Sequence, residues 1–185
     1  HKDPDFDAVG SLLALKELLN KLNKSVILIS PDINKDQFKV LPGIEEILTK
    51  APEKHYNTAF FLDCSDKSRI AFPNKFPNIE QIINIDHHQD NTKFGDINIV
   101  ENISSVGELL FNIFNELNIE ISRNCATNLF AAILFDTGSF QYSNTTESTF
   151  RAAAALKEKG INSSKISEFI FEQKEENYFE DIRIG

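Results

Sequence analysis

The sequence predicts an α/β domain: a mostly parallel β-sheet flanked by helices, with a helical C-terminal third. Three short, β-branched apolar runs at residues 25–30, 59–63 and 81–86 read as buried strands, being too short for helices and closed by proline or acidic residues. Helical patterns separate or follow them, and strands that alternate with helices build parallel sheets.

The first helix is expected over residues 9–22, beginning just after Asp7, because Val9, Leu12, Leu13, Leu15, Leu18, Leu19 and Leu22 recur at helical spacing. Pro31 ends the first strand, and a short helical pattern occupies residues 44–50. Longer helices with one apolar face are expected over 106–117 and 124–135. Beyond them, residues 147–159, 163–171 and 174 onward are helical with no convincing strand between, and Gly160 marks a helix stop. A parallel sheet feeding the loop of residues 1–7 would need a strand before His1. No methionine occurs anywhere, so the natural beginning is expected upstream, and the charged final segment is expected to lead on to something further.

At 185 residues, 41% hydrophobic and 25% charged, the chain is long enough for one well-cored domain. No apolar run approaches the ~20 residues that cross a bilayer. No membrane association is expected, and a cytoplasmic location is. Cys64 and Cys125 form no CxxC pair and read as small buried hydrophobes. A net charge of −9, from 19 basic and 28 acidic residues, disfavours a broad duplex nucleic-acid surface but allows short or small phosphorylated substrates.

Ligands of open α/β sheets bind beyond the carboxyl ends of the strands. Asp63 closes one strand, Asp86-His87-His88 closes the next, and Asp5 and Asp7 occupy the loop before the first helix. Two apart in an extended loop, Asp5 and Asp7 would point the same way and could hold different metal ions, or could cap the helix instead. Asp63 alone could be a turn residue. The Asp-His-His run is a stronger signal, since a surface turn more often uses Gly, Asn or Ser. Asp136 follows the apolar stretch 129–135, where an unpaired carboxylate is costly and a cation would remove the cost. His55, in a polar stretch without a motif, reads as a surface histidine.

The segment His1-Lys-Asp-Pro-Asp-Phe-Asp-Ala-Val-Gly-Ser11 resembles the first motif of the DHH phosphoesterase family. Asp63 falls at the second motif, Asp86-His87-His88 at the namesake triplet, and Asp136-Thr-Gly-Ser-Phe140 with the Tyr142-Ser-Asn-Thr-Thr146 segment at the fourth; Ser104-Ser-Val-Gly-Glu108 is similar to a stretch between the last two. The matches keep the family's order over nearly the whole chain. Phe6 stands where many relatives have Gly. Within the family the wording resembles the oligoribonuclease and 3′-phosphoadenosine 5′-phosphate phosphatase group more than the single-strand exonucleases or family II pyrophosphatases.

The resemblance implies that His1 and Asp5 hold one metal ion and Asp7, His87 and Asp136 the other, with Asp63 bridging. His88 would face the substrate phosphate, Asp86 would orient a ligand, and Ser105 and Arg69 would be further phosphate contacts. Mixed carboxylate and imidazole ligands suit Mn2+, with Mg2+ or Co2+ able to substitute. The implied reaction is two-metal hydrolysis of short oligoribonucleotides or small nucleotides, with cyclic dinucleotides or their linear products as a second substrate class, and a non-catalytic metal-binding module as a third reading. The family's second, DHHA1 domain has no counterpart here. Residues 1–172 are therefore expected to form the catalytic domain and 173–185 to begin a helical linker. The oligomeric state is left open, a homodimer being allowed.

Overall fold

The computed structural model describes residues 1–71 and 78–172; the expected helix from 174 onward lies outside them. The chain runs α1 (Phe6–Lys21), β1 (Leu28–Ile29), β2 (Ile47–Leu48), β3 (His55–Leu62), β4 (Asn78–Asp86), β5 (Ile97–Val100), α2 (Val106–Glu116), α3 (Arg123–Asp136) and α4 (Glu147–Glu158), with a further helix, α5, described over 163–172. Every strand pair among the described residues is parallel: β1 with β2, and β3-β4-β5 in sequence order. The predicted α/β class with parallel strands and C-terminal helices is what the chain adopts.

Several expected elements shift. Helix α1 starts at Phe6, not after Asp7, because Asp5 is its N-cap and accepts a hydrogen bond from the Ala8 N–H. Asp7 therefore projects from the first helical turn rather than from an extended loop. The expected helix over 44–50 is a single 3-10 turn, Ile44–Glu46, followed by strand β2, whose two residues are held by pairing with β1. Strand β5 was not expected; Ile97 to Val100 is too short for its alternation to be read without its partner β4.

Helix α3 is buried almost all round, as a core helix should be, with Cys125, Ala126 and residues 128–134 all inside. It serves as the post against which α1, α2 and α4 pack. The closest approaches use glycine. A Cβ at Gly10 would lie 2.5 Å from the Asn128 carbonyl oxygen, and one at Gly107 2.5 Å from the Ala132 Cβ. Helices α1 and α2 are thereby drawn onto neighbouring turns of α3, one turn before its last residue, Asp136. Phe6 fills the space behind this junction. It packs on Phe38, Phe135 and Phe169 at centroid distances of 5.0, 5.7 and 6.4 Å, so α5 supports the start of α1 from behind.

Candidate metal centre

Each acidic or imidazole side chain of interest sits where an element begins or ends. Asp5 and Asp7 lie at the start of α1, Asp63 directly after β3, Asp86 at the end of β4 with His87 and His88 following, and Asp136 at the end of α3. Parallel strands bring their carboxyl ends to one edge, and the Gly10 and Gly107 approaches bring the helix ends to the same edge. Asp63 has φ of +51°, a left-handed conformation that Asp tolerates better than most residues, and this turns its side chain inward.

The result is one cluster with two halves. His1 Nε2 lies 3.7 Å from Asp5 Oδ2 and 3.3 Å from Asp63 Oδ2. His87 Nε2 lies 3.1 Å from Asp136 Oδ2, 3.8 Å from Asp7 Oδ2 and 3.5 Å from Asp63 Oδ1. The two oxygens of Asp63 are thus divided between the imidazoles. Both rings present the same nitrogen inward: His1 Nδ1 meets the Lys2 carbonyl at 2.5 Å and His87 Nδ1 the Ile103 carbonyl at 3.3 Å, leaving each Nε2 free to ligate. Asp5 uses one oxygen for its cap and turns the other to the cluster, so the capping and ligand readings are both satisfied.

Asp7, fully buried, accepts the Val106 and Gly107 N–H groups at 2.8 and 2.9 Å and the Ser11 hydroxyl at 3.0 Å. It stands at the positive end of α2. Asp136 has the opposite problem, because a carboxylate at a helix C-terminus faces the negative end of the dipole. A positive partner answers it.

Without a cation the cluster shares protons. Asp5 and Asp63 beside His1 push its pKa up to about 11. Burial works against the His87 proton, yet Asp136 and Asp63 raise it to about 11 as well. Burial opposes ionisation of Asp63, but His1 and His87 hold its carboxyl below the usual range. Burial, then repulsion from neighbouring carboxylates, lifts Asp7, and burial lifts Asp136.

The donor set fits divalent cations. His1, Asp5 and Asp63 form one group with ligand atoms mutually within 4.8 Å, and Asp7, His87 and Asp136 another. Four carboxylates and two neutral imidazoles balance two dications. Asp63 Oδ1 is buried with no hydrogen-bond partner, an acceptor aimed into the cluster that a cation would satisfy.

A third possible grouping, Asp63 with Asp86, His87 and His88, is less suited to an ion. Asp86 is already committed, accepting from His88 Nδ1 at 2.8 Å and from Asn91 Nδ2 at 2.5 Å. It orients His88, which is not among the six residues expected to ligate. The Asp86 carboxylate raises the His88 pKa, and the ring leans on His87 at 4.6 Å, with its side chain about a third exposed.

The remaining candidates land differently. Ser105 is fully buried and its hydroxyl caps α2, accepting from the Glu108 N–H, so its oxygen is used in the fold. Arg69 is exposed in the turn after Asp63, its carbonyl accepting from the Lys2 N–H. His55 is exposed and meets Glu80 at 2.8 Å. Both cysteines are buried.

Three supporting residues were given no role by the sequence reading, although Glu108 and Asn144 lie inside segments it singled out. Asn84, buried within the apolar strand β4, donates to the Cys64 carbonyl and accepts from Asn91. A polar residue inside an otherwise apolar strand was the available signal. Asn144 donates to the Ser104 and Asp136 carbonyls, both at 3.1 Å, tying the α3 exit to the start of α2. Glu108, fully buried, accepts from the hydroxyls of Ser104, Ser148 and Thr149 and locks α4 to the same turn.

Residues 1–133 match the DHH family, N-terminal domain. Over 172 residues the chain is 31% identical to the bifunctional oligoribonuclease and PAP phosphatase NrnA of Thermus thermophilus, a match that covers 91% of this chain and 51% of that protein. The Bacillus subtilis protein of the same name is 26% identical over 179 residues, covering 94% and 56%. The crystal structure of an exopolyphosphatase-related protein from Bacteroides fragilis superposes with a TM-score of 0.77 at 27% identity, over 91% of this chain and 54% of that one. The chain spans about half the length of these relatives. No helix among the described residues is long and apolar enough to cross a membrane.

Proposed function

The chain belongs to the DHH family, and on that premise we propose that it carries the hydrolytic centre of a phosphoesterase acting on short oligoribonucleotides or small phosphorylated nucleotides. The observation that carries this reading is the division of the Asp63 carboxylate between His1 and His87, with Oδ1 left unsatisfied in the buried floor. His1 and Asp5 would hold one cation, Asp7, His87 and Asp136 the second, and Asp63 both. Mn2+ suits this mixture of carboxylate and imidazole, and Mg2+ or Co2+ could replace it. When bound, such a pair supplies an activated water and neutralises phosphoryl oxygens.

The chain's own residues do the positioning. Asp7 is held by two backbone N–H groups and a hydroxyl, so its orientation is set before any ion arrives. His88 donates Nδ1–H to Asp86, which leaves Nε2 directed away from that carboxylate and available to a phosphate oxygen. Its raised pKa favours the protonated form, the form that donates to an anion and stabilises charge building on it. Arg69, exposed in the turn after Asp63, would be a second cation to meet an incoming phosphate. Ser105 serves the site through α2, whose N-terminal amides it helps aim at Asp7.

The relatives named as oligoribonuclease and PAP phosphatase support the substrate class, and the −9 charge agrees with short rather than duplex substrates. A Mn2+-supplemented assay against pApA, short RNAs, 3′-phosphoadenosine 5′-phosphate and pyrophosphate tests it. Release of mononucleotide or phosphate from the first three is expected. Pyrophosphate cleavage alone would overturn the assignment of substrate.

A further inference from the structure

Beyond Asp136 the chain leaves α3 through a left-handed turn. Gly138, Ser139 and Phe140 follow one another with φ of +55°, +59° and +65°. That conformation is uncommon for a bulky residue such as Phe140, and it persists only where the surroundings over-determine it. Here they do. The N–H groups of residues 138–142 all find acceptors, those of Gln141 and Tyr142 sharing the Thr137 carbonyl at 2.9 and 3.0 Å. The Phe140 ring is held between Phe130 and Phe150, at centroid distances of 6.2 and 5.4 Å. The turn is therefore fixed, and it brings Tyr142 back against Thr137, the residue next to the candidate ligand Asp136.

The Tyr142 ring has one covered face and one bare face. A Cβ at Gly138 would lie 2.3 Å from Tyr142 Cζ and 2.6 Å from Cε1 and Cε2. Near-equal distances to three neighbouring ring carbons put that point over the face of the ring, not at its edge. Tyr142 thus lies flat on Gly138, which leaves room for it by having no side chain. The opposite face is open: at 61% exposure Tyr142 is the most exposed large apolar side chain among the described residues. Its position relative to the centre is set by Asn144, which donates to the Asp136 and Ser104 carbonyls. Ser104 adjoins Ile103, whose carbonyl meets His87 Nδ1. Residues 142–144 are therefore laced over the His87 and Asp136 half of the cluster.

We propose that the bare face of Tyr142 is the stacking surface for the base of the nucleotide whose phosphate enters the cluster. The proposal rests on the phosphoesterase reading above and names the part of the substrate that lies beside the reacting phosphate. A base stands one sugar away from its phosphate, so a ring within a residue of Asp136 is at the right remove. Stacking accepts any base, because each has a flat π-face, and purines with their larger rings should stack better than pyrimidines. A ring already fixed on Gly138 loses little freedom when a base covers it. Its phenol oxygen can stay in water while the face is buried. Affinity gained in this way needs no basic patch, in keeping with a chain of net charge −9.

Two probes and two variants test this. The probes are 3′-phosphoadenosine 5′-phosphate and 1-deoxyribose 3,5-bisphosphate, which keeps the sugar and both phosphates but lacks the base. The chain has three tyrosines and no tryptophan, so the ring signals of isotope-labelled tyrosine form a short NMR spectrum in which Tyr142→Phe assigns Tyr142. With Mg2+ present, the Tyr142 ring signals should move upfield on adding the adenine probe and stay in place with the base-free one. In Mn2+-supported kinetics, Tyr142→Leu should raise KM for the adenine probe about tenfold with kcat little changed, while Tyr142→Phe keeps the original KM. Equal losses on both probes in Tyr142→Leu would make the ring a structural prop of Asp136 and overturn the proposal. A Tyr142→Phe variant as impaired as Tyr142→Leu would overturn it too, by assigning recognition to the hydroxyl. So would Tyr142 signals that shift with protein concentration in the absence of nucleotide, which would give the ring to a second copy. Hydrolysis of both probes with unmoved Tyr142 signals removes the stacking surface and leaves the phosphoesterase reading standing. Failure of the unsubstituted chain to bind or hydrolyse either probe overturns both.

Discussion

At Asp63 backbone and side chain are under opposing demands. A left-handed backbone favours a residue such as Asn, while the two imidazoles call for a carboxylate. Asp63→Asn keeps the size and tolerates the backbone while losing the shared charge, so it is a cleaner probe than Ala. Asp63→Asn is expected to abolish hydrolysis and weaken both cation sites in calorimetry while circular dichroism stays native. His88→Ala should instead keep cation binding and lose about 10²–10³ in kcat, the usual cost of removing one donor to a developing oxyanion. Comparable loss of cation in both variants would take His88 away from the substrate. The pH response belongs to the same scale. His1 and His87 titrate near 11 when folded against about 6.5 when unfolded, so their ion pairs stabilise the cation-free protein below pH 6.5 and are lost as pH rises toward 11. Asp7 and Asp136, raised by burial, also favour the protonated fold and weaken it as pH climbs above the ordinary carboxylate range. A cation needs all of them deprotonated. The Tm gain on adding Mn2+ should therefore grow from about pH 6 to about pH 9, and a flat gain would place the ion elsewhere.

Helices α1 and α2 meet α3 through Gly10 and Gly107, and these contacts transmit position to the ligands. Gly107→Ala drives a methyl into Ala132 and pushes α2 outward, moving the amides that hold Asp7; about 1–3 kcal/mol of stability should be lost together with cation affinity. Ser105→Ala, which removes only the cap, should cost about 1 kcal/mol by chemical denaturation with a smaller effect on cation binding. A larger loss of activity than of stability would mean that Ser105 also meets substrate. The elements that carry these residues were mostly legible. The helices expected over 106–117 and 124–135 match α2 and α3 to within a residue or so, because their apolar spacing is long and regular. Strand β2 was misread as helix and β5 was missed, since two and four residues take their conformation from pairing across the sheet. The start of α1 was misplaced because Asp5 offers two uses, and only the folded chain shows that each oxygen serves one.

Across the whole molecule, the six residues expected to ligate do converge, from segments as far apart as residues 1 and 136. The positions were readable because strand and helix ends are where such a fold puts polar groups. The contacts around them were not: those of Asn84, Glu108 and Asn144 join residues up to 41 apart in sequence, and a local pattern can mark the residues but not their partners. Since the chain spans about half the length of its relatives, those proteins have further residues with which to hold substrate. The 185-residue chain should then bind Mn2+ yet hydrolyse a short RNA at least ~100-fold less efficiently than a full-length relative, a difference of about 2.7 kcal/mol in kcat/KM. A small chromogenic phosphodiester should lose less. Equal kcat/KM for the RNA on both would show that these residues already contain the substrate site.

The hydrogen bonds from Val106 and Gly107 to Asp7 close loops of 99 and 100 residues. Contacts that distant form late, because the entropy of closing the intervening chain must be overcome before they contribute anything. During synthesis Asp5 and Asp7 emerge long before the amides that aim Asp7 and the helix that ends in Asp136. A nascent chain therefore has acidic residues but no centre, and cannot capture a cation tightly until α3 is in place. In refolding from denaturant, tight Mn2+ uptake should accordingly lag the recovery of helical signal, with the metal reporting the last contacts to close rather than the first.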